Sequence, residues 1–216
     1  MLTREQFLPH EMRIVAALRM RGASDEQVIV RVKSENLFQY PTERMVANRA
    51  TVCLRRLDAM MPTDAVCAAR GIDPKTAVEA ASSLTRLMAS GTPTQADQAI
   101  FYSMICRYDI VRELVLVEVG ERLQNFDYAF TAVDLNAFMT RFTTEYPDAA
   151  RWTEATVKRI KGSLRQTLRH AGLIGEGLGP ESERLSPLFL DSDVERALVQ
   201  LGEQSLIAAL TGRAVM

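Results

Sequence analysis

A run of long cationic side chains in the last third of the chain has the spacing of a phosphate-binding surface. Its lysines and arginines recur mostly at intervals of three and four residues, which is the spacing of one face of an α-helix. Several cations on one face of a rigid rod are suited to contact with a nucleic-acid backbone. We therefore predict nucleic-acid contacts from one hydroxyl and five cations. They are Thr156, Lys158, Arg159, Lys161, Arg165 and Arg169.

The same segment carries apolar residues that would hold such a helix on a core. Val157, Ile160, Leu164 and Leu168 follow the helical period and predict one buried face. A solvated surface helix usually has acids spaced to pair with its cations, and here only Glu154 lies four residues before a lysine. The scarcity of acids favours binding, and a plain solvated face is the alternative interpretation.

The order of the surrounding elements predicts a winged helix-turn-helix. The predicted order is a helix over residues 132–146, the basic helix over residues 153–171, a glycine-rich stretch and a strand over residues 185–190. In this motif the second helix enters the DNA major groove. A β-hairpin after it would form the wing. The glycines that would let this hairpin turn tightly are Gly175, Gly177 and Gly179.

A weaker candidate of the same kind lies near the N-terminus. Helices over residues 24–33 and 42–57 could form a second helix-turn-helix, and the later helix carries four arginines that do not all share one face. The alternative is that they are surface arginines on a bundle helix. They are Arg44, Arg49, Arg55 and Arg56.

Residues that could catalyse a reaction or bind a metal are not grouped in the sequence. His10 and His170 lie far apart, and no zinc-binding spacing of cysteine and histidine occurs. The glycine-rich stretch follows a helix and lacks the Gly-Lys-Ser/Thr ending of a phosphate-binding loop. The three cysteines have apolar helical surroundings and are interpreted as reduced, buried thiols. They are Cys53, Cys67 and Cys106. We expect no catalysis, no cofactor and no metal.

The net charge of −1, from 26 basic and 27 acidic side chains, taken alone argues against a nucleic-acid partner, since such domains are usually basic. The distribution of charge weakens that exclusion, because residues 151–175 carry six basic side chains and one acidic side chain. The segments before and after them, residues 61–150 and 176–216, are both net acidic. Nucleic acid would therefore be confined to one face.

The chain contains no apolar stretch close to the about 18–20 residues that a membrane span needs. Its first residues lack the basic and then apolar pattern of a signal peptide. We therefore expect a cytoplasmic protein.

Most of the chain follows the helical period. We predict a mainly α protein with two domains. The first, over residues 1–126, is a helical bundle. The second, over residues 127–216, is a winged-helix-like region with a small β-hairpin and a closing C-terminal helix.

Several short stretches, taken with their order and spacing, resemble one family. In the first part they are residues 13–18, 22–27, 35–38 and 49–57, and in the last part residues 152–160, 168–174 and 185–190. This pattern resembles the BrxA family, the small helical component of bacteriophage exclusion (BREX) defence systems. Residues 61–93 match least.

The resemblance implies a non-enzymatic, mostly helical cytoplasmic protein that binds double-stranded DNA, with a helical part similar to that of the antiterminator NusB. It also implies partners encoded alongside, namely a methyltransferase, an alkaline-phosphatase-like protein and ATPases. Members of the family have been described as inner-membrane proteins, and this sequence does not support that description. The family brings no catalytic residues, so the DNA-contact positions rest on the charge pattern.

We expect the protein to tether or position a defence complex on duplex DNA without doing chemistry. Two alternatives stay open at this point. One is a NusB-like RNA-binding or transcription-linked module. The other is a protein–protein adaptor within the defence complex, whose basic stripe docks on an acidic partner.

Overall fold

The computed structural model describes residues 6–176 and 183–213, and in these ranges the chain is mainly helical. The helices are α1 Pro9–Met20, α2 Asp25–Ser34, α3 Glu43–Ala59, α4 Asp64–Arg70, α5 Pro74–Ser90, α6 Pro93–Arg107, α7 Asp109–Glu113, α8 Gly120–Gln124, α9 Ala132–Glu145, α10 Glu154–His170, α11 Ser192–Gln200 and α12 Gln204–Thr211. A π-helical segment, Leu114–Val119, joins α7 to α8, and a short 3₁₀ turn, Ala149–Arg151, precedes α10. The strands are β1 Ala129–Phe130, β2 Ile174–Glu176 and β3 Glu183–Leu185.

Side-chain caps explain where several of these helices begin. Ser24 accepts a hydrogen bond from the Gln27 backbone while the Gln27 side chain accepts one from the Ser24 backbone, which is a complete capping box. Thr131 and Asp134 form the same reciprocal pair at the start of α9. Such caps satisfy backbone N–H groups that have no partner within the helix.

One compact unit consists of residues 8–107 and 190–203, so the chain returns to it near its C-terminus. In this unit α1 packs on α3 and α5, and α11 packs on α5 and α6. Its core is mainly aliphatic and includes Met12, Val15, Leu84 and Met88, all fully buried. This unit therefore combines helices from the first half of the chain with α11 from near its end.

A buried carboxylate holds the returning segment in that unit. Glu203 is 2 % exposed and receives the Arg70 guanidinium at 2.9 Å, while the Tyr102 hydroxyl donates to it at 3.2 Å. Arg70 also donates to the Leu201 carbonyl at 2.8 Å. Burial is the first cause that raises the pKa of Tyr102 well above its ordinary value, so this hydroxyl stays a donor.

The other compact unit contains residues 6–7, 108–176, 183–189 and 204–213. Here α12 packs on the π-helical segment and on α8. The approach is close at Gly120, where an added Cβ would lie 2.8 Å from the Ala209 Cβ. Glycine therefore lets the two helices meet.

The unit also holds a three-stranded antiparallel sheet in which β3 lies between β1 and β2. Arg184 on β3 pairs with Ala129 on one side and Gly175 on the other. The residues that would form the turn between β2 and β3, Gly177 and Gly179 among them, lie outside the described residues.

The predicted strand over residues 185–190 is wrong beyond its first residue. β3 ends at Leu185, because Pro187 has no N–H to donate to a ladder. The backbone N–H of Leu188 donates instead to the Leu210 carbonyl at 2.8 Å. The mainly helical class with a small antiparallel sheet is confirmed. The division into a helical bundle over residues 1–126 and a winged-helix-like region over residues 127–216 stays a prediction.

We predict that Gly120→Ala destabilises the protein. The added methyl would overlap Ala209, and overpacking of this kind costs about 1–3 kcal/mol, more than the roughly 0.5–1 kcal/mol that alanine contributes in a helix. Urea unfolding measures the difference.

Gly162→Ala is the matched control, since nothing lies within 4 Å of the added Cβ on α10. This variant should gain about 0.5–1 kcal/mol. Equal shifts for the two variants would show that the contact at Gly120 is not tight.

Candidate nucleic-acid interface

The basic helix α10 begins with a hydroxyl cap. The Thr153 hydroxyl accepts from the Thr156 backbone N–H at 3.2 Å, and the two threonine hydroxyl oxygens lie 3.0 Å apart. Glu154 lies in the first turn and Arg169 in the last, the charge order that the helix dipole favours. The hydroxyl of Thr156, a predicted contact residue, is therefore already engaged in the cap.

The buried face predicted for this helix is confirmed. Ile160, Leu164 and Leu168 are each at most 1 % exposed, and Val157 is half-buried. Thr167 is also buried, at 2 % exposed. Burial of this face leaves the cations on the opposite side of the helix or at its edges.

The three cations of the N-terminal half of α10 form no ion pair within the part of the chain that the structure describes. Lys158 and Arg159 are exposed, and neither forms an ion pair with any residue in the ranges that the structure describes. Lys161 is half-buried, and its ammonium donates to the Asn136 side-chain oxygen at 2.7 Å. Because Asn136 is neutral, it orients Lys161 without cancelling its charge.

The two arginines of the C-terminal half are engaged by a carboxylate. The Arg165 Nε lies 2.8 Å from one Glu183 oxygen, and the Arg169 guanidinium donates to the other. The Glu183 side chain is only 9 % exposed, whereas those of Arg165 and Arg169 are 34 % and 63 % exposed. We call this group the Glu183 clamp. It joins α10 to β3 and reduces the positive charge that this end of the helix presents.

Sequence reasoning did not identify Glu183. It precedes Arg184 in a three-residue strand. Which side chains it meets depends on the register of that strand, and the sequence does not display this register. The signal that was present is the net negative charge of residues 176–216 directly after the basic helix.

Arg184 is a second residue that the sequence pattern did not identify. It is exposed on β3, and its guanidinium carbon lies 5.4 Å from the centre of the Tyr128 ring, which is within cation–π distance. Its cross-strand neighbours are the small residues Ala129 and Gly175. Arg184 therefore stands on an open part of the sheet surface.

The four N-terminal arginines do not form one surface. Arg44 and Arg55 are exposed and Arg49 is half-buried, but Arg56 is 0 % exposed. The expectation that Arg56 contacts DNA is corrected by this burial, because a phosphate cannot reach a guanidinium inside the protein.

Arg56 belongs instead to a buried polar cluster. Burial raises the pKa of the nearby Cys53 thiol to about 12, with Arg56 opposing that shift and Glu11 adding to it. Tyr40 donates a short hydrogen bond to Glu11, and burial with that bond raises the pKa of Tyr40 to about 12. Cys53 stays a neutral thiol at ordinary pH. Cys67 is buried too, and Cys106 is half-buried.

Within residues 6–176 and 183–213, no group of three or more histidine, cysteine and acidic side chains is placed to hold a metal ion. No helix in these ranges is both long and apolar enough to cross a bilayer.

Comparison with known proteins identifies a family. The family model of BrxA matches residues 1–202. A relative described as BREX protein BrxA, from Escherichia coli O9:H4 (strain HS), is 21 % identical over 127 residues, which are 59 % of this chain and 58 % of the relative. The similarity to this relative thus spans less than two thirds of its length.

A crystal structure of an uncharacterized protein from Magnetospirillum magneticum shares the fold. It superposes with a TM-score of 0.73 at 16 % identity, covering 98 % of this chain and 96 % of that one. The match to the family model extends over nearly all of the chain and confirms the resemblance noted in the sequence. The chain belongs to the BrxA family.

Proposed function

We propose that this protein is a non-enzymatic accessory component of a BREX phage-defence system that binds double-stranded DNA in the cytoplasm. Family membership and the relative named as a BREX protein support the place in phage defence. The observation that carries DNA binding is the group of three cations on the N-terminal half of α10 that form no ion pair with any described residue.

The topology around α10 supports a winged-helix mode of binding. The order along the chain is a helix (α7 to α8), then β1, α9, α10, β2 and β3. The strand order in the sheet is β1-β3-β2. In this mode α10 is the recognition helix and its N-terminal residues lie nearest the base edges. The helical unit would be NusB-like, and the methyltransferase, the phosphatase-like protein and the ATPases would be its partners, as the family suggests.

The cations of α10 have different roles in this proposal, depending on whether they pair with Glu183. Lys158, Arg159 and Lys161 are the primary phosphate contacts in this proposal, because their charge is available. Arg165 and Arg169 mainly position β3 through the Glu183 clamp. Arg44 and Arg55, exposed on α3, are secondary contacts. The protein would hold a defence complex on DNA by charge attraction.

We predict that the triple variant K158Q/R159Q/K161Q loses much of its affinity for duplex DNA. Each lost phosphate contact lowers the steepness of log K against log[salt] by about 0.9, so the slope should become shallower by about 2.7. Fluorescence anisotropy on a labelled duplex across a salt series measures this slope.

The control is R21Q/K75Q/R86Q, which removes three exposed cations from other parts of the chain and changes the net charge equally. It should keep nearly the wild-type slope. A triple variant of α10 that behaves like this control would refute the assignment of the interface. Competition with a structured RNA in the same assay separates the proposed function from an RNA-binding module.

We predict that Glu183→Gln makes DNA binding more dependent on salt. Without the carboxylate, Arg165 and Arg169 are released toward solvent, and the slope should steepen by up to about 1.8, or two phosphates. The same anisotropy assay applies, with thermal unfolding to verify that the variant is folded.

Glu145→Gln is the matched control for this variant. It removes the same charge from an exposed position on α9 and releases no arginine. If both glutamines change the slope to the same degree, the clamp does not withhold the two arginines from DNA.

A further inference from the structure

An open groove lies where the turn after α9 leads into α10. Its volume is about 490 Å³, and its lining residues are Trp152, Glu154, Val157, Lys158 and Lys161. Clefts that bind small ligands typically measure about 300–1,000 Å³. The groove is thus large enough for one nucleotide-sized group.

A stack of aromatic rings holds one wall of this groove in place. The Phe142 ring lies 4.2 Å from Tyr146 and 6.0 Å from Trp152, measured between ring centres, and it is nearly parallel to both. Phe142 is 5 % exposed, so it anchors the half-buried Trp152 from inside. Trp152 therefore offers a fixed indole surface to whatever enters the groove.

The charged residues around the groove suit a ligand with both an anionic and a hydrogen-bond donor group. Lys158 and Lys161 supply two ammonium groups, and Asn136 holds Lys161 at 2.7 Å. Glu154 supplies an acceptor, and Val157 supplies an apolar surface between them. A planar ring, an anion and a ring-edge N–H together describe a nucleotide.

We propose that this groove binds a single unpaired nucleotide of DNA. The base stacks on Trp152, its phosphate lies against Lys158 and Lys161, and Glu154 accepts a hydrogen bond from the base edge. A base in the interior of a duplex has both faces covered by its neighbours, so it can stack in this way only after it leaves the base stack. This inference rests on the proposed function, since it places the nucleotide beside the helix that binds the duplex.

The preference for an unpaired base is measurable, because stacking of a base on an aromatic side chain strengthens binding. A duplex with a single-nucleotide bulge should bind about tenfold more tightly than the same duplex without it. Trp152 is the chain's only tryptophan, so its fluorescence reports directly on this groove. The bulged duplex should quench it, and the blunt duplex should not.

Trp152→Ala should abolish the tenfold preference for the bulged duplex. Its affinity for the blunt duplex, whose proposed contacts do not include Trp152, verifies that the variant is folded and still binds DNA. Trp152→Phe retains an aromatic ring and should keep part of the preference.

The outcomes separate this inference from the proposed function. Tight blunt-duplex binding with no preference for the bulge, or equal quenching by both duplexes, would overturn the groove assignment alone. Equal quenching by a poly-glutamate peptide would show that the groove selects charge and not a base, and would also overturn it. Failure to bind either duplex would overturn both proposals.

Discussion

The ion pairs of Glu183 are the interaction on which the character of the basic surface depends. A carboxylate that is almost withdrawn from water is costly unless cations and hydrogen bonds compensate it. Arg165 and Arg169 compensate it from two successive turns of α10. The same contacts hold β3 against α10, so the sheet and the helix form one unit whose free positive charge lies toward the N-terminal end of the helix.

The other compact unit uses the same physical device. Glu203 is buried where the chain returns to the bundle after α11, and Arg70 and Tyr102 satisfy it from α4 and α6. In both units a buried acid with an arginine partner ties together segments that are distant in sequence. Hydrophobic burial has no preferred direction. These ion pairs and hydrogen bonds do, and they fix which segments lie against each other.

The polarity of α10 gives the proposed DNA contact its geometry. Recognition helices contact base edges from their N-terminal residues, and in α10 these are the turns whose cations form no ion pair within the described ranges. The acidic segments on either side of the helix in sequence oppose binding elsewhere. An overall charge near zero is therefore compatible with a strongly basic local surface.

Local features were readable from the sequence because they depend on neighbours along the chain. The helical period predicted α10 and its buried face, and α2 and α10 begin within one residue of the predicted positions, where Ser24 and Thr153 cap them. The strand predicted over residues 185–190 was wrong beyond Leu185, because Pro187 has no N–H for the hydrogen-bond ladder and β3 ends early.

Tertiary structure alone decided which cations are exposed and without an ion pair among the described residues. Packing buries Arg56, and the register of a strand brings Glu183 to Arg165, and neither contact leaves a local pattern in the sequence. The sequence by itself determined the helices, the position of the basic segment and the family, because each is a matter of order and spacing. Only the folded chain decided which of those charges face solvent uncompensated, because burial and ion pairing join residues that the sequence keeps apart.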